Sequence, residues 1–241
     1  MKTKIKAVIR WLFLSGLAGC ALAQAQNVTA HFDVVSESGA GKHADSSEVV
    51  IWLSPATRSV VEPKPVSRPP RLIQKNKMFH PHILAVTAGS AVEFPNHDPF
   101  FHNVFSLFEG KRFDLGLYEA GGSRIVHFDR PGICYIFCNI HPEMSAVIVV
   151  VDTPYYGISD AGGNVTLRNV DPGDYVMHVW YEGATPEQLK MLTHPVRVSL
   201  NTRALGSMRI MAGPSVLLSH KNKYGRDYDP PAPASPIYVQ P

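Results

Sequence analysis

The chain has 241 residues, 45% of them hydrophobic and 18% charged, and its mean hydropathy is −0.04. That balance excludes a disordered chain, a polytopic membrane protein and a coiled coil, and the length suffices for one large or two small domains. The formal charge is +3, yet setting aside Lys2, Lys4, Lys6 and Arg10 leaves 19 of the 23 basic residues against 20 acidic ones, net −1. With no basic surplus in the folded part, nucleic acid is not expected as a partner.

Those four cations belong to a leader. Residues 1–10 are basic, 11–18 are mostly apolar and small residues follow, which is the layout of a secretory signal peptide too short to span a bilayer. Two processing sites compete. Ala21-Leu22-Ala23 would release a soluble protein from a signal of residues 1–23, whereas Leu17-Ala18-Gly19-Cys20 resembles a bacterial lipobox after a signal of residues 1–19, with Cys20 as a lipid anchor. Either way the folded part is expected in the periplasm or outside the cell.

Compartment then bears on the two cysteines left, Cys134 and Cys138, because an exported cysteine is usually paired. Four residues apart on a strand, their Cα atoms would lie about 13 Å apart at roughly 3.3 Å per residue, and a disulfide needs less than about 7 Å. Two free thiols are expected, and a metal would explain them.

Along the chain, residues 28–35 and 48–53 read as strands, with Gly39-Ala40-Gly41 between them. Residues 62–70 hold four prolines in nine and read as a loop, so 28–70 is a pair of N-terminal strands plus a linker that could serve either following module. Short β-like runs follow at 83–87, 91–94, 103–107, 124–128, 133–137 and 146–151, within a domain of residues 75–153. Their spacing indicates a sandwich or barrel. A second module, residues 154–213, begins with 164–170 and 175–181, read as a strand pair joined at Asp171-Pro172-Gly173-Asp174. Residues 186–192 read as a short helix capped by Thr185 with Glu187 in its first turn, and 196–200 and 205–211 as strands. Residues 214–241, with six prolines, are expected to be poorly ordered. The fold class is all-β.

One segment carries chemistry: Gly132-Ile-Cys-Tyr-Ile-Phe-Cys138-Asn-Ile-His141-Pro-Glu-Met144. A thiolate, an imidazole and a thioether at C-x2-H-x2-M turn back toward one point, and soft sulfur with imidazole selects copper or zinc over magnesium and calcium. A Cys/His/His site with a weak axial Met is the ligand set of blue-copper electron transfer. It needs one more histidine, and His102, opening the strand after Phe94-Pro-Asn-His-Asp-Pro-Phe-Phe, supplies it.

These residues resemble the cupredoxins. His102-Asn103-Val104 with the short C-x2-H-x2-M loop is most similar to amicyanin. The stretches Phe94-Pro95-Asn96-His97-Asp98, Phe113-Asp114-Leu115-Gly116-Leu117-Tyr118 and Cys138 to Met144 resemble a group of exported bacterial plastocyanin-like proteins, often labelled methylamine-utilisation proteins. The resemblance implies a Greek-key β-sandwich and one type 1 copper ion on His102, Cys138, His141 and Met144. Asn103 would pin the ligand loop and hydrogen-bond near the sulfur. It implies an electron carrier with an unidentified redox protein partner, not an enzyme. Ile140 departs from the Pro of plastocyanin and amicyanin, which puts loop stiffness in question. The module after Thr153, with Asp160-x-Gly162-Gly163 and residues 169–175, resembles the small carboxypeptidase-regulatory or transthyretin-like sandwich.

Alternatives stand beside this reading. Cys134 shares the strand parity of Cys138, so it is either a small core residue or, with Cys138, a bridge of a dinuclear copper centre like that of cytochrome oxidase. A copper carrier without an electron-transfer role would use the same ligands. His80 and His82 form an H-x-H pair of the kind that holds further coppers in oxidases and nitrite reductases, although such a pair on a strand edge is more often solvated. His97, His127, His178 and His194 read as ordinary surface or strand histidines, Lys221 and Lys223 as solvated charge, and Ile140, Pro142 and Met144 as an apolar patch around His141.

Overall fold

The computed structural model describes residues 25–36, 45–57, 68–107, 111–213 and 220–228. The leader with Cys20 and both processing sites, the Gly39-Ala40-Gly41 loop and residues 58–67 of the linker lie outside the described residues, as do 214–219 and 229–241. In chain order the strands are β1 (Gln26–Ser36), β2 (Val50–Pro55), β3 (Ile73–Lys75), β4 (Met78–His80), β5 (Ile83–Thr87), β6 (Ser90–Pro95), β7 (His102–Ser106) and β8 (Phe113–Tyr118). They continue with β9 (Ser123–Phe128), β10 (Gly132–Cys138), β11 (His141–Val151), β12 (Tyr156–Ile158), β13 (Asn164–Val170) and β14 (Gly173–Trp180). The one helix among the described residues, α1 (Pro186–Leu192), precedes β15 (His194–Val198) and β16 (Ala204–Ala212). The protein is all-β and built as packed sheets.

Period-two alternation of apolar residues produces two sandwiches. In the first, the five-stranded sheet β5-β11-β10-β7-β8 faces the β6-β9 pair. Val92, Phe94, Val126 and Phe128 from the pair meet Val104, Cys134, Ile136 and Ile148 from the larger sheet in one core. The second sandwich sets β13-β1-β16 against β12-β2-β14-β15 over Phe32, Val34, Ile51, Leu53, Leu167 and Met177. The N-terminal strands therefore pair with the sheets that follow Thr153, and the first sandwich is inserted between β2 and β12.

One strand joins the two. Residues 146–151 of β11 are all buried, because Ala146, Ile148 and Val150 point into the first core while Val147, Val149 and Val151 meet Val50, Ile83 and Trp180 in a third apolar cluster. A strand covered on both faces reads as a continuous apolar run instead of an alternating one, and Ala-Val-Ile-Val-Val-Val is such a run.

The expected hairpin of 164–170 with 175–181 does not form. β13 pairs with β1, and β14 pairs with β2 and β15, so the Asp171-Pro172 corner carries the chain from one sheet to the opposite one. Both strands have an apolar face, and placing them across the core lets Val165 and Leu167 meet Met177 and Val179. Tyr175 Oη donates to Asp171 O at 2.8 Å and Tyr155 Oη to the Asp171 carboxylate at 2.7 Å, which pins that corner. The helix matches its expected span, with a capping box between Thr185 and Gln188. Strands β3, β4, β8 and β12 were not anticipated; each is short, or carries Asp and Gly among its apolar residues.

The two sandwiches also meet through His82, whose Nε2 lies 2.7 Å from Glu182 Oε2 and whose Nδ1 lies 3.3 Å from Ser145 O. The Glu182 hydrogen bond, helped by Glu48, raises the His82 pKa against the cost of burial. A histidine whose pKa is raised on folding contributes stability fully below its unfolded value of about 6.5, and loses it as pH rises through the folded value. The thermal-stability gap between wild type and His82→Gln is thus expected to be larger at pH 6 than at pH 9. An unchanged gap across that range, measured by calorimetry, would remove this pair from the interface.

Candidate metal centre

The β10–β11 hairpin builds the centre by breaking its own register. The ladder runs regularly from Gly132↔Val150 to Phe137↔Ser145, and then Cys138 faces His141, leaving residues 142–144 unmatched on β11. Pro142 has no ladder N–H to give, and a bulge of this kind re-aims side chains at the end of a sheet. Cys138 and Met144 both end in the first core with no solvent exposure. His141 stays half-buried at the turn.

His102 arrives on the neighbouring strand β7, which pairs with β10 through Val104↔Cys138. The loop that delivers it is shaped by Asn96, whose Nδ2 donates to Phe100 O (2.7 Å) and Glu119 O (3.1 Å) while its Oδ1 accepts from Asp98 N (2.9 Å). Asp98 is then placed so that His102 Nε2 donates to its Oδ2 at 2.9 Å. The same carboxylate accepts the amides of Asn76 (2.6 Å) and Lys77 (3.0 Å). Those two residues form the β3–β4 turn with φ of 57° and 56°, a two-residue hairpin geometry whose successive N–H groups cradle an anion.

The tautomer of His102 follows. Burial would push the Asp98 carboxyl up, but the Lys77 amide, the His102 ring and the Asn76 amide together hold it below the usual carboxylate range. An ionised carboxylate only accepts, so the His102 proton sits on Nε2 and Nδ1 carries a lone pair. That Nδ1 lies 3.5 Å from Cys138 Sγ, and His141 Nδ1 lies 3.4 Å from the same sulfur. The three donor atoms fall within 4.8 Å of one another, and they form the one such group of metal-capable side chains among the described residues.

Electrostatics keeps the two imidazoles in the form a metal needs. Burial lowers the pKa of His102 in spite of Asp98. Burial, with the nearby His102 and Lys77, takes His141 down to about 4. Both rings are therefore neutral at ordinary pH. Burial also pushes the Cys138 thiol up, while the backbone N–H groups of Ile140, Asn103 and His141 directed at its sulfur work the other way. Metal-bound sulfur and nitrogen donors at about 2.3 and 2.0 Å stand roughly 3.5–3.8 Å apart across tetrahedral to trigonal angles, close to the separations seen here. The set fits one soft transition-metal ion.

Asn103 acts chiefly through its backbone. Its N–H faces the Cys138 sulfur and its carbonyl accepts the amide of Asn139 at 2.8 Å. Its Nδ2 goes to Asp114 Oδ1 (2.6 Å) and Gly116 O (3.1 Å). Phe100 packs on both imidazoles, with ring centroids 5.3 Å from His102 and 5.6 Å from His141.

Of the other candidates, Cys134 is a free, fully buried thiol outside the donor group, its pKa pushed up to about 11 by burial. It packs as a small residue of the first core, outside the donor group that a second bridging sulfur would have to join. His80 is exposed and His82 is engaged with Glu182, so the H-x-H pair adds no ligand to the group. His97, His127 and His194 are exposed, and His178 stacks on Trp52 with centroids 5.0 Å apart. Met144 is no part of a surface patch, being fully buried, while Ile140 is 43% exposed and Pro142 is exposed.

Sequence reasoning missed Asn96 and Asp98 as working residues, although the F-P-N-x-D stretch contains both. The signal was an Asx pair just ahead of a histidine that opens a strand. It also missed residues 220–228, which pack against this centre where poor order was expected.

No family model matches the chain and no curated relative matches it. Solved structures similar to it include a purple cupredoxin from Nitrosopumilus maritimus, at 22% identity over 34% of this chain and 99% of that one, with a TM-score of 0.32. A variant of amicyanin in its Cu(I) form matches at 18% identity over 36% of this chain and 87% of its own, TM-score 0.33. A copper-containing nitrite reductase from Thermus scotoductus SA-01 matches at 20% identity, covering 49% of this chain but only 28% of the reductase, TM-score 0.34. At this level of similarity the matches fix neither ligand nor activity for the chain.

Asp98→Asn removes the anion that fixes the His102 tautomer. Affinity for a soft transition metal is expected to fall roughly 10–100-fold, as for other residues that orient a ligand from behind, with the circular dichroism of the fold retained. Chelator competition measures this, and affinity within twofold of wild type would leave the carboxylate without a role.

Proposed function

We propose that this chain is an exported copper protein that passes single electrons between protein partners. One type 1 copper ion would be held by His102 Nδ1, Cys138 Sγ and His141 Nδ1, with Met144 as a weak axial donor. The observation that carries the reading is the convergence of one sulfur and two neutral imidazole nitrogens within 4.8 Å, two of the three residues being buried. Thiolate with imidazole selects copper or zinc, and the Cys/His/His set with Met nearby favours copper. When bound, copper supplies a centre that takes up and gives back one electron.

The residues of the chain do the rest. The Asp98 carboxylate and the β3–β4 turn hold the His102 ring. The Asn103 carbonyl holds the turn between Cys138 and His141, so the donors need move little when the charge changes. His141 sits half-buried beside exposed Ile140 and Pro142, which offers a small apolar contact of the kind weak redox encounters use. Phe100 packs against both imidazoles and Met144 is fully buried, an enclosed arrangement that suits a carrier better than an enzyme. Export rests on the leader. Among the described residues no helix is long and apolar enough to cross a membrane.

Titration with Cu(II) is expected to saturate at one equivalent with an intense blue colour from thiolate-to-copper charge transfer. Cys138→Ala abolishes it and Cys134→Ala leaves it. A colourless product, or loss of the band in Cys134→Ala, would overturn the single-copper reading.

Met144→Leu is expected to retain copper and to raise the reduction potential, since a weak axial donor stabilises Cu(II) more than Cu(I). Protein-film voltammetry decides this; a lowered potential would exclude Met144 from the axial position.

A further inference from the structure

Residues 220–228 lie against the outer side of the ligand loop, far along the chain from every residue of the site. The segment is ordered by its own contacts. Asn222 Oδ1 accepts the amides of Tyr224 (3.0 Å) and Arg226 (3.1 Å), Asn222 N donates to Arg226 O at 2.8 Å, and Gly225 turns the chain at φ 74°. It reaches the centre at three points. The His220 ring stacks on Phe137, the residue before Cys138, with centroids 4.0 Å apart and planes 22° apart. Lys223 N donates to Asn139 Oδ1 at 2.9 Å, and Lys223 Nζ pairs with Asp114 Oδ2 at 2.8 Å. Tyr228 Oη donates to the carbonyl of Cys138 itself at 3.0 Å.

These contacts have a direction. A phenol has one proton, so Tyr228, donating to Cys138 O, accepts from His220 Nδ1 at 3.1 Å. The His220 Nδ1–H is shared between Tyr228 Oη and the Lys221 carbonyl, 3.1 Å from each, and Tyr228 fixes the peptide that follows the cysteine. Asp114, held by Lys223, accepts from Asn103 Nδ2 at 2.6 Å, and Asn103 O in turn accepts Asn139 N. The two-residue turn at Asn139 and Ile140 is therefore gripped from the sandwich side by Asn103 and from the other side by Lys223 and Tyr228.

We propose that residues 220–228 are a strap that positions the ligand loop, with Tyr228 and Lys223 as its positioning residues, so that metal retention at Cys138 depends on a segment outside both sandwiches. The physical reason is that Asn139 and Ile140 form a turn at the end of the sheet, where the ladder no longer fixes the backbone. Fixing the Cys138 carbonyl and the Asn139 side chain restores that constraint from outside. The proposal rests on the copper reading for its metal readout only.

The test uses the full chain with Tyr228→Phe, which keeps the ring and removes one hydrogen bond, and Lys223→Met, which removes the ion pair. One hydrogen bond of ordinary net strength corresponds to about a threefold to tenfold change. Chelator-driven copper release from Tyr228→Phe is expected to be faster by about that factor, with a shifted charge-transfer band. Lys223→Met is expected to release copper faster by a smaller factor that salt does not change further. In the metal-free proteins, amide hydrogen exchange at Asn139 and Ile140 is expected to quicken in both variants, while exchange in β5 and β13 stays as in wild type. Wild-type exchange at Asn139 and Ile140 in both variants would overturn the strap. So would exchange that quickens equally everywhere, which would indicate general destabilisation. If the wild-type chain takes up no copper, the functional reading fails, and the metal-free exchange still decides for or against the strap.

Discussion

Two imidazole lone pairs and a thiol aimed at one buried point form an arrangement that a protein must hold together by force of structure. The thiol has one proton to offer, and His102 cannot use its own, because Asp98 fixes that proton on the far nitrogen. Burial disfavours charging either ring and disfavours ionising the sulfur. A cation at the point of convergence resolves all of this at once: it pairs with the thiolate, takes both lone pairs and needs no ring to be protonated. The surrounding structure is best understood as what keeps these donors aligned.

The restraint comes from several directions. From below, β11 is sealed on both faces, against the first core and against the second sandwich, so the strand that carries His141 and Met144 has no freedom to slide. From the side, a carboxylate cradled by the amides of the β3–β4 turn fixes the His102 ring. At the rim, Asn103 ties the ligand turn through its own backbone. The second sandwich, which holds no residue of the donor group, has a mechanical part here: Val50 and Trp180 are what Val147, Val149 and Val151 pack upon.

The donor group was legible in the sequence because chemistry and spacing coincide there. Cys138 and His141 lie within four residues, and the apolar strand that ends at Cys138 fixes which way the sulfur points. His102 was legible only as the partner that set needed, through the residues around it. Strands with clean alternation, such as β1 and β13, were readable one by one, but their pairing was not. Which sheet β13 joins depends on what covers its apolar face, and the Asp171-Pro172 corner looks the same in sequence whether the chain doubles back or crosses the core. Asp98 was hidden because its role needs three elements at once: the turn at Asn76 and Lys77, the loop built on Asn96, and His102. Residues 220–228 were hidden because polar side chains at a chain's end look solvated until their partners, here Asp114, Asn139 and the Cys138 carbonyl, are known.

X-ray absorption at the copper edge, on protein loaded with one equivalent of the metal, tests the central claim most directly. The proposed copper site predicts one short copper–sulfur bond and two imidazole nitrogens in the first coordination shell. A shell of nitrogen and oxygen alone, or two short copper–sulfur bonds, would contradict it.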